Sequence, residues 1–77
     1  MDLSRLTPRK QDALYAMSRA PLDFVPDEGW SNNFGGPYNS HSIVWLAAQG
    51  LCTFTEERAV ITRAGRQTSE LLIGAAA

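Results

Sequence analysis

The sequence predicts one small α+β domain with about three helices and a short two-stranded β-hairpin. Three segments combine helix-like apolar spacing with recognisable start or stop residues, and two β-prone runs lie between the second and third of them. A chain of 77 residues holds a single domain with a thin core. We expect an ordered region from 7 to 73, followed by a frayed tail at 74–77.

The first helix is expected at 8–20. Thr7 can cap its first turn, and Pro8 is tolerated at the first helical position because the N–H that proline lacks has no partner there. Pro21 ends the helix. Apolar residues recur at three- and four-residue spacing, which predicts a buried stripe of Ala13, Leu14 and Met17.

Residues 21–38 are expected to form an ordered, packed loop. The segment is dense in Pro, Gly, Asn and Asp, which favour turns, so no long helix fits. A short helical turn is expected near 27–31. The segment is too apolar for a solvated linker, because it also contains Leu22, Phe24, Val25, Trp30, Phe34 and Tyr38.

The second helix is expected at 40–49. Asn39 or Ser40 can cap its start, and Gly50 supplies the left-handed residue that ends it. Helical spacing predicts a buried stripe of Ile43, Leu46 and Ala47.

A β-hairpin and a third helix complete the predicted domain. Two short β-prone runs flank the acidic pair Glu56 and Glu57, which predicts a hairpin at 52–62. Thr62 is expected to cap the last helix, at 63–73.

Six residues from the second helix onward resemble the winged helix-turn-helix pattern: Leu46, Gly50, Leu51, Thr62, Gly65 and Arg66. In that family a recognition helix ends in Gly-Leu, a β-hairpin wing follows, and a Thr-x-x-Gly-Arg segment begins the next helix. The resemblance implies a small DNA-binding transcriptional regulator of bacterial or phage type. Such a protein would read double-stranded DNA as a homodimer, with helix 40–49 and the 52–62 wing. The chain departs from the pattern in placing the 21–38 loop where the family has a second helix.

Nine residues are candidates for DNA binding. Helical spacing turns four residues of the second helix away from its apolar stripe, where they could reach base edges together with the residues that begin the helix. Arginines of the wing and the last helix are available to contact phosphates. The candidates are Asn39, Ser40, His41, Ser42, Trp45, Gln49, Arg58, Arg63 and Arg66.

Structural roles compete with DNA contact at three of these positions. Asn39 and Ser40 can serve as helix caps without contacting a base. Trp45 either packs against the aromatic residues of the 21–38 loop or lies exposed. An exposed tryptophan at this place is more typical of a protein interface than of a major-groove contact.

The charge distribution favours a second functional class. The formal net charge is −1, and residues 21–50 contain Asp23, Asp27 and Glu28 but no Lys or Arg. Because phosphate neutralisation supplies most non-specific DNA affinity, a strong DNA binder is normally more basic. The alternative to a DNA-binding regulator is therefore a protein-binding module that does not bind DNA, such as a phage inhibitor of a defence system or an adaptor. It would use Trp45, the aromatic residues of the 21–38 loop and these three acidic residues.

Several classes of function are not expected. Cys52 is the single cysteine and His41 the single histidine, so neither a multi-cysteine zinc site nor a histidine-rich metal cluster is available. We expect no catalytic residues, no metal and no cofactor, and hence no enzyme. No apolar run is long enough to cross a bilayer and no signal peptide is recognisable, so a cytoplasmic protein without membrane contact is expected.

Overall fold

The computed structural model describes residues 5–76, with side chains from 5 to 72. Three helices and five strands follow one another along this part of the chain. In order they are α1 (Pro8–Arg19), β1 (Leu22–Val25), β2 (Gly29–Asn32), β3 (Gly35–Tyr38), α2 (Ser40–Ala48), β4 (Cys52–Phe54), β5 (Arg58–Ile61) and α3 (Arg63–Ala76).

The winged helix-turn-helix fold class predicted from the sequence is wrong, because a five-stranded antiparallel sheet replaces the two-stranded wing. Segment 21–38, expected as a loop with a helical turn at 27–31, forms β1, β2 and β3. Its turn-forming residues lie between short strands. Asp27, with φ of 71°, and Gly29, with φ of 116°, reverse the chain within a few residues, so that β2 can pair with β1.

The other predicted elements agree more closely with the structure. α1, α2 and the β4–β5 hairpin end within one residue of their predicted limits. α3 begins at the predicted residue and continues to Ala76, three residues beyond its predicted end at 73. Residue 77 lies outside the described residues.

Each helix begins at a side chain that accepts a backbone hydrogen bond. Thr7 accepts from the N–H of Lys10 at 3.4 Å, and Asn39 accepts from the N–H of Ser42 at 2.9 Å. Thr62 Oγ1 accepts from a third such N–H, that of Gly65, at 3.1 Å. These bonds satisfy donors that a helix leaves open in its first turn.

The turns between strands gather at two ends of the sheet. The strand order is β3-β2-β1-β5-β4, and every neighbouring pair is antiparallel. The turns 26–28 and 55–57 therefore lie at one end, which we call the acidic end, and the turn 33–34 lies at the other, the closed end. The two turns of the acidic end are adjacent, because the N–H of Phe24 donates to the carbonyl of Glu57 at 2.8 Å.

The core lies between the helices and one face of the sheet, its inner face. Buried side chains of this face include Leu22, Trp30, Tyr38, Ala59 and Ile61. The helices contribute fully buried Leu14, Met17, Ile43 and Leu46. Successive strand residues alternate between faces, so Val60 points to the outer face and is 44% exposed.

Gly65 allows α3 to start close to the end of α2. A Cβ atom at this position would collide with the carbonyl oxygen of Leu51 and approach the side chain of Ile61. The glycine three residues after Thr62 is therefore explained by close packing.

Candidate functional site

The exposed side of α2 is the first part of the candidate site. Ile43 and Leu46 are fully buried, so the opposite side of the helix faces outward. Val44 is 51% exposed, and His41 and Ala48 are also exposed. The outward side is therefore mainly apolar near its middle. Segment 21–38, which was expected to be a loop, does not cover it.

An open groove runs between this side of α2 and α1. It is lined by Lys10, Asn39, His41, Ser42, Val44, Trp45 and Ala48. Trp45 is half-buried and packs against the core, while the ammonium group of Lys10 lies 4.2 Å from the centroid of its ring. This cation–π contact holds Lys10 over Trp45, and the two side chains form one wall of the groove.

Three aromatic rings form the second part of the site, and we call them the aromatic cluster: Phe24, Trp30 and Phe54. The Phe24 and Trp30 centroids are 5.1 Å apart, and those of Trp30 and Phe54 are 6.1 Å apart. Trp30 is 4% exposed, whereas Phe24 is 37% and Phe54 44% exposed. The inner face of the sheet is therefore partly exposed to solvent at the acidic end, through these two phenylalanine side chains.

A hydrogen bond joins the aromatic cluster to α2. Nε1 of Trp30 donates to the hydroxyl of Ser40, the first residue of the helix, at 3.2 Å. Val44 follows Ser40 by one helical turn and so lies on the same side of α2. The outward side of α2 therefore begins beside the aromatic cluster.

Four carboxylates occupy the turns beside the aromatic cluster. They are Asp27, Glu28, Glu56 and Glu57, all of them exposed. The nearby Arg58 does not neutralise them, because its Nε donates to Asp23 Oδ1 at 3.0 Å in an ion pair on the outer face. This end of the molecule therefore carries concentrated negative charge.

Three of the residues predicted to read DNA have structural roles in the fold. Asn39 caps α2 through the 2.9 Å bond from Ser42 N–H, and Ser40 accepts the indole N–H of Trp30. Ser42 is buried. His41 and Gln49 are exposed as expected, but one begins α2 and the other follows its last turn.

The predicted phosphate contacts do not come together around α2. Arg58 lies on the outer face of the sheet, opposite the face that α2 covers, and is paired with Asp23. Arg66 donates to the carbonyl of Ser18, beside the C-terminal end of α1, at 3.4 Å. Arg63 is exposed at the start of α3.

Phe54 and Val44 were not predicted to lie on a binding surface, and Phe24 was included only as one of the aromatic residues of the 21–38 loop. Val44 could have been found, because it lies off the Ile43 and Leu46 stripe by helical spacing. The two phenylalanines required the strand register, in which Phe24 lies opposite Trp30 and Phe54 opposite Ala59.

Two buried groups with raised pKa values belong to the core. The Tyr38 hydroxyl donates to Asp12 Oδ2 at 2.7 Å, and burial together with that carboxylate raises the pKa of Tyr38. Burial raises the pKa of the Cys52 thiol to about 11, and its Sγ lies 3.7 Å from the Ile43 carbonyl oxygen. A buried neutral thiol is a poor nucleophile.

The described residues contain no group of three or more His, Cys, Asp or Glu side chains that could hold a metal ion. None of the helices in this part of the chain is long and apolar enough to cross a membrane.

The fold and the site define a small α+β domain with an acidic, partly aromatic surface. No family model, no curated protein and no solved structure matches the chain. The winged-helix resemblance therefore gains no support from these comparisons.

Proposed function

We propose that the protein acts by binding another protein, through the surface formed by the outward side of α2 and the aromatic cluster. The observation that carries this proposal is the exposure of Phe24 and Phe54 next to four carboxylates, beside the start of a helix on which Val44 is also exposed. A DNA-binding regulator stays a prediction from the sequence, and the geometry supports the protein-binding alternative better.

The apolar part of the surface supports a protein partner. Phe54 and Val44 are each exposed by more than two fifths, although each is attached to a rigid element of the fold. Exposed aromatic and aliphatic groups that border one another are typical of protein interfaces, where aromatic residues supply much of the binding energy. The groove beside Trp45 adds a concave region to this surface.

The charge of the surface disfavours duplex DNA. Glu56 and Glu57 occupy the turn that precedes Arg58, a predicted phosphate contact, and Asp27 and Glu28 occupy the adjacent turn. Phosphates would be repelled by these four groups, and Arg58 is held by Asp23 on the outer face. A duplex lying along α2 would meet Lys10 as a nearby cation, but that ammonium group lies over the Trp45 ring.

Site-specific photocrosslinking tests the proposal. A photoreactive amino acid is placed at Val44 in one variant and, as a matched control, at Val60 on the outer face, which is 44% exposed against 51% for Val44. In cells that produce the protein, we expect a discrete crosslinked protein from position 44 and none from position 60. Equal labelling at both positions, or no protein adduct at 44, contradicts the proposal.

A nuclear magnetic resonance titration with random duplex DNA tests the competing prediction. At low salt we expect no saturable shifts of the amides in Ser40–Ala48. Saturable shifts confined to α2 and the β4–β5 turn, weakening steeply as salt is added, would restore the DNA-binding regulator.

A further inference from the structure

We propose that the acidic end binds a basic segment of the partner, in which Arg or Lys side chains alternate with apolar ones. The segment would lie across Phe24 and Phe54, between the turns 26–28 and 55–57. This inference rests on the proposed function and adds the chemistry of the partner.

The charges of the acidic end are held close together by the fold. The N–H of Phe24 donates to the carbonyl of Glu57, which brings the turn containing Glu56 and Glu57 against the strand that leads to Asp27 and Glu28. Half of the eight acidic residues of the chain lie in these two turns, although the formal net charge of the whole protein is only −1. Such a local concentration attracts and orients a cationic partner.

The two exposed phenylalanines suit the side chains of such a partner. Each ring presents part of its surface to solvent, and the aliphatic stem of Arg or Lys packs well on an aromatic surface while its charged end reaches a carboxylate. The apolar residues of the partner segment would contact the exposed edges of the same rings.

The protein uses this kind of contact at other aromatic rings. Arg9, Lys10 and Arg19 lie 5.9 Å, 4.2 Å and 5.4 Å from the ring centroids of Tyr38, Trp45 and Phe34, respectively. Among the described residues, no Arg or Lys lies over Phe24 or Phe54 in the same way. These two rings are therefore available to a cation from another chain.

Calorimetric titration with a synthetic peptide of alternating Arg and Leu tests the inference. A peptide of the same length with Glu in place of Arg serves as the control probe. We expect saturable binding of the basic peptide and none of the acidic one. The affinity should fall as salt rises, because exposed charges are screened.

Variants locate the binding surface. We expect Phe24→Ala with Phe54→Ala, and separately Glu56→Gln with Glu57→Gln, each to weaken binding about tenfold, which is the effect of losing about 1.4 kcal/mol. Phe34→Ala, an aromatic change at the closed end, and Glu70→Gln on α3 should leave the affinity within about twofold. Phe54→Leu keeps an apolar side chain and should lose part of the affinity, since it removes only the cation–π contact.

The outcomes distinguish the basic-segment inference from the protein-binding proposal. Absence of binding by the basic peptide, equal binding of both peptides, or equal losses in the control variants would overturn the inference. If crosslinking at Val44 persists in that case, the protein-binding proposal stands and its partner is not basic. Failure of crosslinking at Val44 contradicts the proposed function as stated. If basic-peptide binding is retained at the acidic end in that case, the inference stands without α2.

Discussion

The two ends of the sheet are built in opposite ways. At the closed end, the side chain of Asn32 makes four hydrogen bonds: its Nδ2 donates to the carbonyls of Ala16 and Ala20, and its Oδ1 accepts from the N–H groups of Phe34 and Gly35. At the acidic end, the turns 26–28 and 55–57 present four carboxylates to solvent.

Exposed phenylalanines make the contrast clear. Phe34 at the closed end is 49% exposed, and Phe54 at the acidic end is 44% exposed. Arg19 lies over Phe34, whereas Phe54 has Glu56 and Glu57 close by in the following turn. The exposed ring at the closed end is therefore covered in part by a cation of the same chain. The exposed ring at the acidic end lies beside carboxylates, which suit a cationic partner.

The largest expected effect concerns the ring that anchors the acidic end. Trp30→Ala should lower the free energy of unfolding by about 3–5 kcal/mol, because it removes a nearly fully buried ring that contacts Phe24 and Phe54. Urea denaturation measures the change. Phe34→Ala is the control and should cost much less. A larger cost for Phe34→Ala would mean that the closed end, not the acidic end, depends on its aromatic residue.

The second prediction concerns the side chain that anchors the closed end. Asn32→Ala should cost about 2–4 kcal/mol, since it leaves carbonyls of α1 and N–H groups of the 33–34 turn without their partner. The neighbouring Asn33 is exposed, so Asn33→Ala is the matched control and should be nearly neutral. Similar costs for the two variants would show that solvent satisfies the Asn32 partners, and the closed end would lose its distinction.

The third prediction concerns how stability depends on pH, and it rests on the buried thiol of Cys52 at the start of β4. Its folded pKa of about 11 is above the ordinary value of 9.0, so the unfolded chain loses this proton first as pH rises. The stability due to this shift is complete below pH 9.0 and is lost as pH rises through about 11, by an amount on the order of 2 kcal/mol.

Cys52→Ala isolates this contribution. Thermal denaturation between pH 8 and 11 should show a smaller alkaline loss of stability in the variant than in the original chain. The loss that remains is expected from Tyr38, whose pKa is also raised by burial. Identical pH profiles for the two proteins would mean that Cys52 is accessible to solvent in the folded state.

The smallest expected effect concerns repulsion at the acidic end. Replacing Glu56 and Glu57 by Gln should raise the melting temperature slightly at low salt, because like charges in adjacent turns repel one another. The difference should close as salt is added. Glu70→Gln on α3 is the control and should show no comparable salt dependence. A lower melting temperature in the double variant would mean that these carboxylates stabilise the fold.

The sequence predicts the helices well because their signals are local. Thr7, Asn39 and Thr62 were each identified as possible caps, and each accepts the expected backbone hydrogen bond. The apolar stripe of α2 was also correct at Ile43 and Leu46, although Ala47 is only partly buried.

The strands of 21–38 could not be predicted in the same way. Each has four residues, too few for a clear alternating pattern, and glycine or proline adjoins or interrupts them. Pairing between β1 and β5 joins residues far apart in sequence, so only tertiary structure reveals it. The candidate site was affected for the same reason: the spacing of Ser42 suggested exposure, whereas packing buries it.

The hydrogen bond from the Trp30 indole to Ser40 makes Trp30 an intrinsic fluorescence probe of its surroundings. An indole that touches two partly exposed rings and the start of a helix changes its emission when any of these neighbours is displaced. In a Trp45→Phe background, Trp30 is the sole source of tryptophan fluorescence. Occupancy of the sheet surface can therefore be followed by light alone, without a label.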